Sequence, residues 1–493
     1  MRGLMAGTIL GSFGALARLS CAPLFGIACA TLSLNFLAFA SPVLAEEKPR
    51  TPGPEALTLG QAVEIALGTN PLLRATASGQ ELAVAQLREA QAGWLPTLQV
   101  GETVTRSNNA VFVFGSLLEQ RQFSAADFSL NRLNDPAAYT NWRSYANLQV
   151  PIFNQLQTVA KVEQSRLGVR QAQAQQDYTA QHLRFEVIRA YYGVLVQEAN
   201  KEVADESVRS AEAELKRMKD RFQTGAVVES ELLAMQVQLA DFRQRQIQAG
   251  GNVAVAYAAL CSAMGIPIGS PVRLASTAME RSFTVADQGQ LMEAALSSRP
   301  DFRHAQMDVE VKHQGTRAAK GQYLPQLNLF ASVGNSAENL GTSGSDYAFG
   351  ANLSINLFDG GRYPRLRQAQ AAEIMAHARQ DHLADQVRLE VVQVREQFLA
   401  AQERLKVASE SVQQADEALR MVRDRYNGGL TTITEVLRSQ TAQLQAKTSL
   451  LGARYDYFVG YANVLLATGG LNDVHAFTDR GSASAPLIER GDR

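Results

Sequence analysis

The side chains that could do chemistry are few and widely spaced. The chain has six histidines, and the two closest to each other, His377 and His382, are five residues apart. On a helix this spacing turns the two rings to different faces, so they would not share a metal ion. The sequence also lacks an HExxH motif and a glycine-rich loop ending in Lys-Ser or Lys-Thr. We therefore predict no catalytic site, no metal site and no cofactor, and hence a protein that is not an enzyme.

Two acidic residues and one arginine stand out by their position. Glu231 and Glu435 each follow a glycine-containing turn and are 204 positions apart. The helix dipole favours a carboxylate in the first turn of a helix, so both residues could simply be solvated groups that stabilise a helix N-terminus. Arg438 follows Glu435 by one helical turn, where the two can form an ion pair. Whether these charges serve a function depends on the elements that position them.

Those elements occur twice in the chain. Between residues 387 and 429, apolar or small residues recur in alternating steps of four and three: Val387, Val391, Val394, Phe398, Ala401, Leu405, Ala408, Val412, Ala415, Leu419 and Val422. This period of 3.5 residues is that of a left-handed coiled coil. Residues 183–225 repeat the pattern 204 positions earlier and match residues 387–429 at 14 of 43 positions. Because chance would give roughly one match in sixteen, the chain contains an internal duplication.

Each repeat also has two segments of period two before its long helix. We predict strands at about 97–106 and 144–153 in the first repeat, and at about 326–334 and 347–358 in the second. Their polar faces are almost free of charge, which favours transmembrane barrel strands over the alternative, a soluble antiparallel sheet. Four strands are too few to close a barrel, since the smallest common ones need about eight, so we expect the chain to oligomerise. The loops at 108–143 and 334–346 are predicted to be extracellular.

The first 45 residues have the pattern of a secretory signal. Arg2 and Arg18 precede an uncharged stretch that ends in Val43-Leu44-Ala45, and we predict cleavage after Ala45. The alternative is a retained anchor helix; no later stretch is predicted to span a membrane as a helix. Cleavage changes the net charge from −1 to −3, which gives no indication of nucleic-acid binding. Only Cys261 then remains, so no intrachain disulfide is predicted.

The signal, the duplicated unit and several short motifs resemble the TolC family of outer-membrane efflux proteins. The resemblance extends from Leu57 to about Leu471. Its markers are Leu59-Gly60-Gln61-Ala62, Asn70-Pro71, the Leu-Pro pairs at 95–96 and 324–325, and the sequences Arg221-Phe222-Gln223-Thr224-Gly225 and Arg425-Tyr426-Asn427-Gly428-Gly429. The resemblance implies a homotrimer whose twelve strands form one outer-membrane barrel, continued by a tapering periplasmic barrel of helices.

The resemblance also implies roles for the turns between the long helices. Glu231 and Glu435 match acidic positions that ring the periplasmic aperture of the family, where threefold symmetry makes each a ring of three carboxylates. Arg438 departs from the family pattern, which has a second acidic residue there, and it could form an ion pair with Glu435 within the chain or between subunits. The turns themselves match the surface on which a periplasmic adaptor protein docks: Gly225, Ala226, Val227, Gly429, Leu430 and Thr431. We expect Val227 and Leu430 to be exposed.

The sequence therefore predicts a mainly α-helical protein with transmembrane β-strands. Its predicted function is that of an outer-membrane exit duct for a tripartite efflux pump or a type I secretion system, with an adaptor, an inner-membrane transporter and outer-membrane lipid as partners. A periplasmic coiled-coil adaptor or structural protein without a barrel is the alternative. The predicted segments are a signal (1–45), a flexible lead (46–56), a first repeat (57–264, tip near 223–230), a linker (265–284), a second repeat (285–471, tip near 427–434) and a disordered tail (472–493).

Overall fold

The computed structural model describes residues 56–275, 281–339 and 342–478. The predicted signal, nearly all of the lead, and residues 479–493 of the predicted tail lie outside this part of the chain. The first repeat comprises α1 (Leu59–Thr69), α2 (Pro71–Ala92), β1 (Thr97–Ser107), α3 (Ala110–Glu119), α4 (Leu130–Asn134), β2 (Tyr139–Asn154), α5 (Gln157–Gln223) and α6 (Glu229–Met264). The second comprises α7 (Gln288–Ser298), α8 (Pro300–Gly321), β3 (Gln326–Asn339), β4 (Thr342–Ser354), α9 (Arg362–Asn427) and α10 (Ile433–Ala467), and α11 (His475–Thr478) follows it.

The long helices α5 and α9 have 67 and 66 residues, which corresponds to about 100 Å each. Each pairs with the helix that follows it, so that α5 with α6 and α9 with α10 form two long hairpins. All of the predicted seam positions of α9 are buried or half-buried. The 3.5-residue period therefore identifies the side of the helix that packs against its neighbours.

Two apolar clusters hold the hairpins together. The larger, which we call the shoulder core, joins both repeats and is rich in aromatic rings: Tyr191, Tyr192, Phe283, Phe398, Tyr457, Phe458 and Tyr461. The smaller, the tip core, lies near the turns of the hairpins and contains Met218, Met235, Phe242, Tyr426, Ile433 and Val436. Helix α6 contributes to both clusters, and it remains helical through Gly250 and Gly251, which lie between them.

The four strands form one antiparallel sheet in the order β1-β2-β3-β4. Strands β2 and β3 join the two repeats, and β1 and β4 are the edges. One rung of the sheet aligns Leu98, Leu148, Ala331 and Phe349 on an apolar face. The adjacent rung aligns Gln99, Asn147, Ser332 and Ala348 on the opposite, more polar face. The alternation predicted from the sequence is thus present in all four strands.

The structure differs from the predictions in four places. Strands β2 and β3 extend into the predicted loops, and β4 is shifted, since it runs from Thr342 to Ser354 and not from 347 to 358. The segment 108–143 is not a simple loop, because it contains α3, a short 3₁₀ helix (Ala125–Phe128), α4 and the start of β2. The first part of the predicted tail is ordered: α11 forms, and its Phe477 is buried in the shoulder core. Helix α6 is long and apolar enough to cross a membrane by length and composition. It packs along α5 in a hairpin, but several of its apolar side chains, among them Val237, Ile247 and Val255, remain exposed in the single chain.

Candidate functional site at the hairpin tips

Both hairpins turn with the same backbone geometry. Gly225 and Gly429 have φ angles of 76° and 71°, in the left-handed region that favours glycine. In the first turn, the N–H groups of Gly225 and Ala226 donate to the carbonyls of Phe222 and Arg221 at 3.0 and 2.9 Å. In the second, Gly429 and Leu430 donate to Tyr426 and Arg425 at 3.0 and 2.8 Å. These paired bonds are a Schellman motif, which satisfies the last carbonyls of α5 and α9.

The two turns expose different apolar residues. Leu430 is 73% exposed, as expected. The prediction that Val227 is exposed is wrong, because its side chain is half-buried and packs against the tip core. Its neighbour Val228 is exposed instead. The other predicted turn residues lie at the surface: Ala226 is exposed and Thr431 is half-buried.

The first acidic residue, Glu231, joins the two hairpins. It lies in the first turn of α6 and accepts a hydrogen bond from the Tyr426 hydroxyl of α9 at 3.3 Å. The Arg221 guanidinium lies 5.5 Å from the centre of the Tyr426 ring, a cation–π distance. Burial, and then the charge of Glu231, raise the pKa of the Tyr426 phenol. The phenol therefore stays protonated at neutral pH, and its hydroxyl can donate a hydrogen bond to the Glu231 carboxylate.

The second acidic residue, Glu435, has a partner on its own helix. It lies in the first turn of α10 and is half-buried. Arg438 donates from Nη1 to its Oε1 at 3.1 Å, and this i,i+3 ion pair is one of the two pairings that the sequence allowed. The structure therefore places the predicted charges at the tips but gives each glutamate a different partner.

Sequence reasoning missed Tyr426 and Arg221 as parts of this site. A signal was available in the duplication: the residues three and four positions before each left-handed glycine are Arg-Phe in the first repeat and Arg-Tyr in the second. The extra hydroxyl at position 426 is the one that reaches Glu231.

The family model described as outer membrane efflux protein matches residues 62–266 and 291–470, which is most of the chain. The chain belongs to the outer membrane efflux protein family. Family membership confirms the predicted resemblance and excludes the alternative of an adaptor without a barrel. It also makes the protein an outer-membrane exit duct for efflux or secretion, with its helices in the periplasm, in a family of channels rather than enzymes.

Relatives and solved structures agree with this assignment. The outer membrane protein TolC of Vibrio cholerae is 24% identical over 381 residues, which cover 76% of this chain and 85% of that protein. The alkaline protease secretion protein AprF of Pseudomonas aeruginosa is 24% identical over 352 residues, or 68% of this chain and 71% of that one. Among solved structures, VceC of Vibrio cholerae covers 84% of this chain and 96% of its own at a TM-score of 0.70 and 21% identity. The CmeC channel of Campylobacter jejuni has a TM-score of 0.71 at 18% identity and covers 84% of this chain and 85% of its own.

Proposed function

We propose that three copies of the chain form the channel, with twelve strands in one barrel and six helical hairpins in one periplasmic tunnel. Cargo would move through the water-filled interior by passive diffusion. Energy would come from an inner-membrane transporter, joined to the channel by a periplasmic adaptor. The rings of Glu231 and Glu435 would form the periplasmic aperture, with Arg438 beside the second ring.

The observation that supports the trimer is a difference in burial between equivalent positions of the two repeats. Within the chain, α10 packs against α5 and Leu451 is only 8% exposed. The equivalent residue of α6, Ile247, is 76% exposed. If the repeats of several chains alternate around a ring, α9 of the next chain packs against α6, and so against Ile247, as α5 packs against α10 within the chain. Val407 on α9 is 63% exposed and lies as far from its tip glycine as Ile247 does, whereas its equivalent on α5, Val203, packs against the tip core.

The edges of the sheet lead to the same conclusion. Among the described residues, β1 and β4 each pair with a strand on one side only. A free edge presents unpaired N–H and C=O groups, which cost several kcal/mol each in lipid, roughly 2–7 by transfer data. Pairing β4 of one chain with β1 of the next closes the sheet and satisfies these groups.

The assembly can be tested by the mass of the protein purified in mild detergent. We expect three chains per particle for the unaltered protein. Ile247→Arg should yield single chains of normal helix content, because the arginine is solvated in the lone chain and buried only in the ring. Gln248→Glu, at the exposed neighbouring position, is the matched control and should remain trimeric. An unaltered protein that is monomeric and fully stable would contradict the proposal.

A further inference from the structure

The segment between β1 and β2 folds back over the sheet. Asn109 caps α3 by accepting hydrogen bonds from the N–H groups of Val111 and Phe112 at 3.0 and 3.1 Å, so that only two residues separate the end of β1 from the start of the helix. Further along the segment, the rings of Phe114, Phe123 and Phe128 pack edge to face, with centroids 4.8 and 5.1 Å apart. The segment is therefore a small structured unit.

The carboxylate of Glu119, at the end of α3, attaches the helix to the sheet. It accepts hydrogen bonds from Asn141 Nδ2 and Ser336 Oγ, both at 3.1 Å, and forms an ion pair with Arg143 at 3.2 Å. Arg143 also forms an ion pair with Asp346 of β4 at 2.8 Å. These partners come from β2, β3 and β4 and share the polar face of the sheet with Asn147. Helix α3 thus lies against the polar face.

The fit between the helix and the sheet is close. Gly344 lies opposite Ser336 on the polar face, and a Cβ atom at this position would overlap the carbonyl oxygen of Glu119. Ser336 and Asn141 are buried beneath the segment. Gln120, also buried, donates to Asn141 Oδ1 at 2.8 Å. Between α3 and the polar face a cavity of about 620 Å³ remains, lined by residues that include Thr103, Phe112, Arg143 and Asn147.

We propose that α3 is an inward-folded constriction at the outer end of the channel and that it limits the size of the cargo that can leave. This inference rests on the proposed trimer, in which the polar face lines the interior. Twelve strands about 4.8 Å apart and tilted by about 40° give a backbone ring roughly 24 Å across. A helix with its side chains is about 10 Å across, so three of them leave a narrow passage. The strands run from this segment towards the helices, which places it at the extracellular end.

The test uses thiol labelling from outside the cell. Cys261 is the only cysteine among the described residues and is buried, so we expect the reagents to label only the introduced cysteine. Asn147→Cys places a thiol on the polar face, about 14 Å along β2 from Arg143 towards the periplasm. We expect a small charged maleimide to react with it and a maleimide carrying a polymer of several kilodaltons to react about tenfold more slowly, since pore diameter decides access.

The constriction is then displaced. Combined with Asn147→Cys, Gly344→Ala pushes the end of α3 off the sheet. The polymer reagent should then label the Asn147→Cys thiol about tenfold faster, at nearly the rate of the small reagent. Gly115→Ala, within α3 where a Cβ meets open space, is the matched control and should leave the rate low. If Gly344→Ala fails to assemble, Glu119→Gln tests the same attachment. The proposal is wrong if both reagents label Asn147→Cys equally fast while α3 is in place. It is also wrong if the polymer reagent still reacts slowly once Gly344→Ala has displaced α3.

A second cysteine separates this proposal from the one on which it rests. Leu148→Cys lies on the apolar face, one residue from Asn147, and in lipid it should react with neither reagent. If Leu148→Cys reacts as readily as Asn147→Cys, the polar face does not line a barrel and the proposed channel is wrong. If Leu148→Cys is protected while Asn147→Cys is open to the polymer, the barrel stands and only the constriction fails.

Discussion

Phe222 and Tyr426 occupy equivalent positions at the two hairpin tips, yet Phe222 is 40% exposed and Tyr426 only 8%. Tyr426 is covered by the first hairpin and donates its hydroxyl to Glu231 there. In the proposed ring, Phe222 would meet the second hairpin of the next chain, near its Glu435, but phenylalanine has no hydroxyl to donate. Glu435 is paired with Arg438 instead. The two tips therefore differ within one chain, and in the proposed ring the contact between chains would use different chemistry from the contact within a chain.

The two repeats also differ beside the shoulder core, where α6 and α10 end. Gly265 and Gly469 end α6 and α10 with φ angles of 70° and 69°, and both press against the backbone before a helix-starting proline. A Cβ would lie 2.7 Å from Asn70 Cα in the first repeat and 2.9 Å from Arg299 N in the second. Asn70 donates to the carbonyl of Ala263 at 3.1 Å. Arg299 donates from Nη1 to the equivalent carbonyl, that of Ala467, also at 3.1 Å, and it adds ion pairs with Asp301 and Glu390 at 2.8 and 2.7 Å. The second repeat therefore keeps the neutral contact of the first and adds charge to it.

The largest effect is expected from charging the apolar residues that the tips expose. Leu430→Asp and Val228→Asp together should abolish export, because these side chains form the proposed contact with the adaptor. The trimer should stay intact, since neither residue is buried in the chain. Val227→Asp is the contrasting variant: it disturbs the tip core and should lower thermal stability. Normal export by the double variant would show that the adaptor docks elsewhere.

The next largest effect compares Arg299 with Asn70, the residues that precede the helix-starting proline in the second and first repeats. Arg299→Ala leaves Asp301 and Glu390 without their cation and should lower the free energy of unfolding by roughly 3 kcal/mol, near the lower end for a broken buried pair because Glu390 is half-exposed. Asn70→Ala removes two neutral hydrogen bonds, the one to the carbonyl of Ala263 and the N-cap bond from the N–H of Leu72, and should cost about 1–2 kcal/mol. Chemical denaturation in detergent measures both variants. Equal losses of unfolding free energy would mean that the ion pairs of Arg299 add nothing to the neutral contact that Asn70 makes.

The Arg299 effect should also depend on pH. Burial alone would raise the pKa of Asp301, but its hydrogen bonds to Arg299 and the charge of that residue outweigh burial and lower the pKa. The stabilisation is therefore fully present above the unfolded pKa of about 3.9 and is lost as the pH falls through the lower folded value. The difference between the unaltered protein and Arg299→Ala should accordingly shrink below about pH 4, while the effect of Asn70→Ala should not change.

Features that follow local periodicity could be predicted from the sequence, and those set by neighbouring elements could not. The seam through Val387 and Phe398 and the alternation through Leu148 are visible because each side chain's direction follows from its place in one element. Val227 and Val228 are adjacent valines in a turn, and only the position of the tip core decides which of them is buried. The attachment of Glu119 likewise depends on partners from three strands, far apart in the chain.

Removing the charges of both glutamates should change selectivity more than stability. In a trimer, Glu231→Gln with Glu435→Gln neutralises six carboxylates, and we expect cation preference and block by divalent cations to weaken in a planar bilayer. Glu229→Gln is the matched control, because this residue lies in the same first turn of α6 and has no acidic equivalent in the second repeat. Unchanged selectivity in the double variant would mean that these residues do not line the pore.

The smallest effect is expected from Arg438→Ala. Its ion pair with Glu435 is largely exposed, so its loss should cost only about 0–1 kcal/mol, and single-channel conductance should rise slightly as the closed state loosens. Tyr426→Phe, which removes the hydroxyl that reaches the half-buried Glu231, should loosen the closed state by about 1 kcal/mol and raise conductance more. The order of the two effects is the decisive measurement, because it compares the contact within a chain with the charge pair beside the proposed contact between chains. A larger rise for Arg438→Ala would show that Arg438 holds the tips closed across the subunit boundary, through a carboxylate of the neighbouring chain as well as its own Glu435.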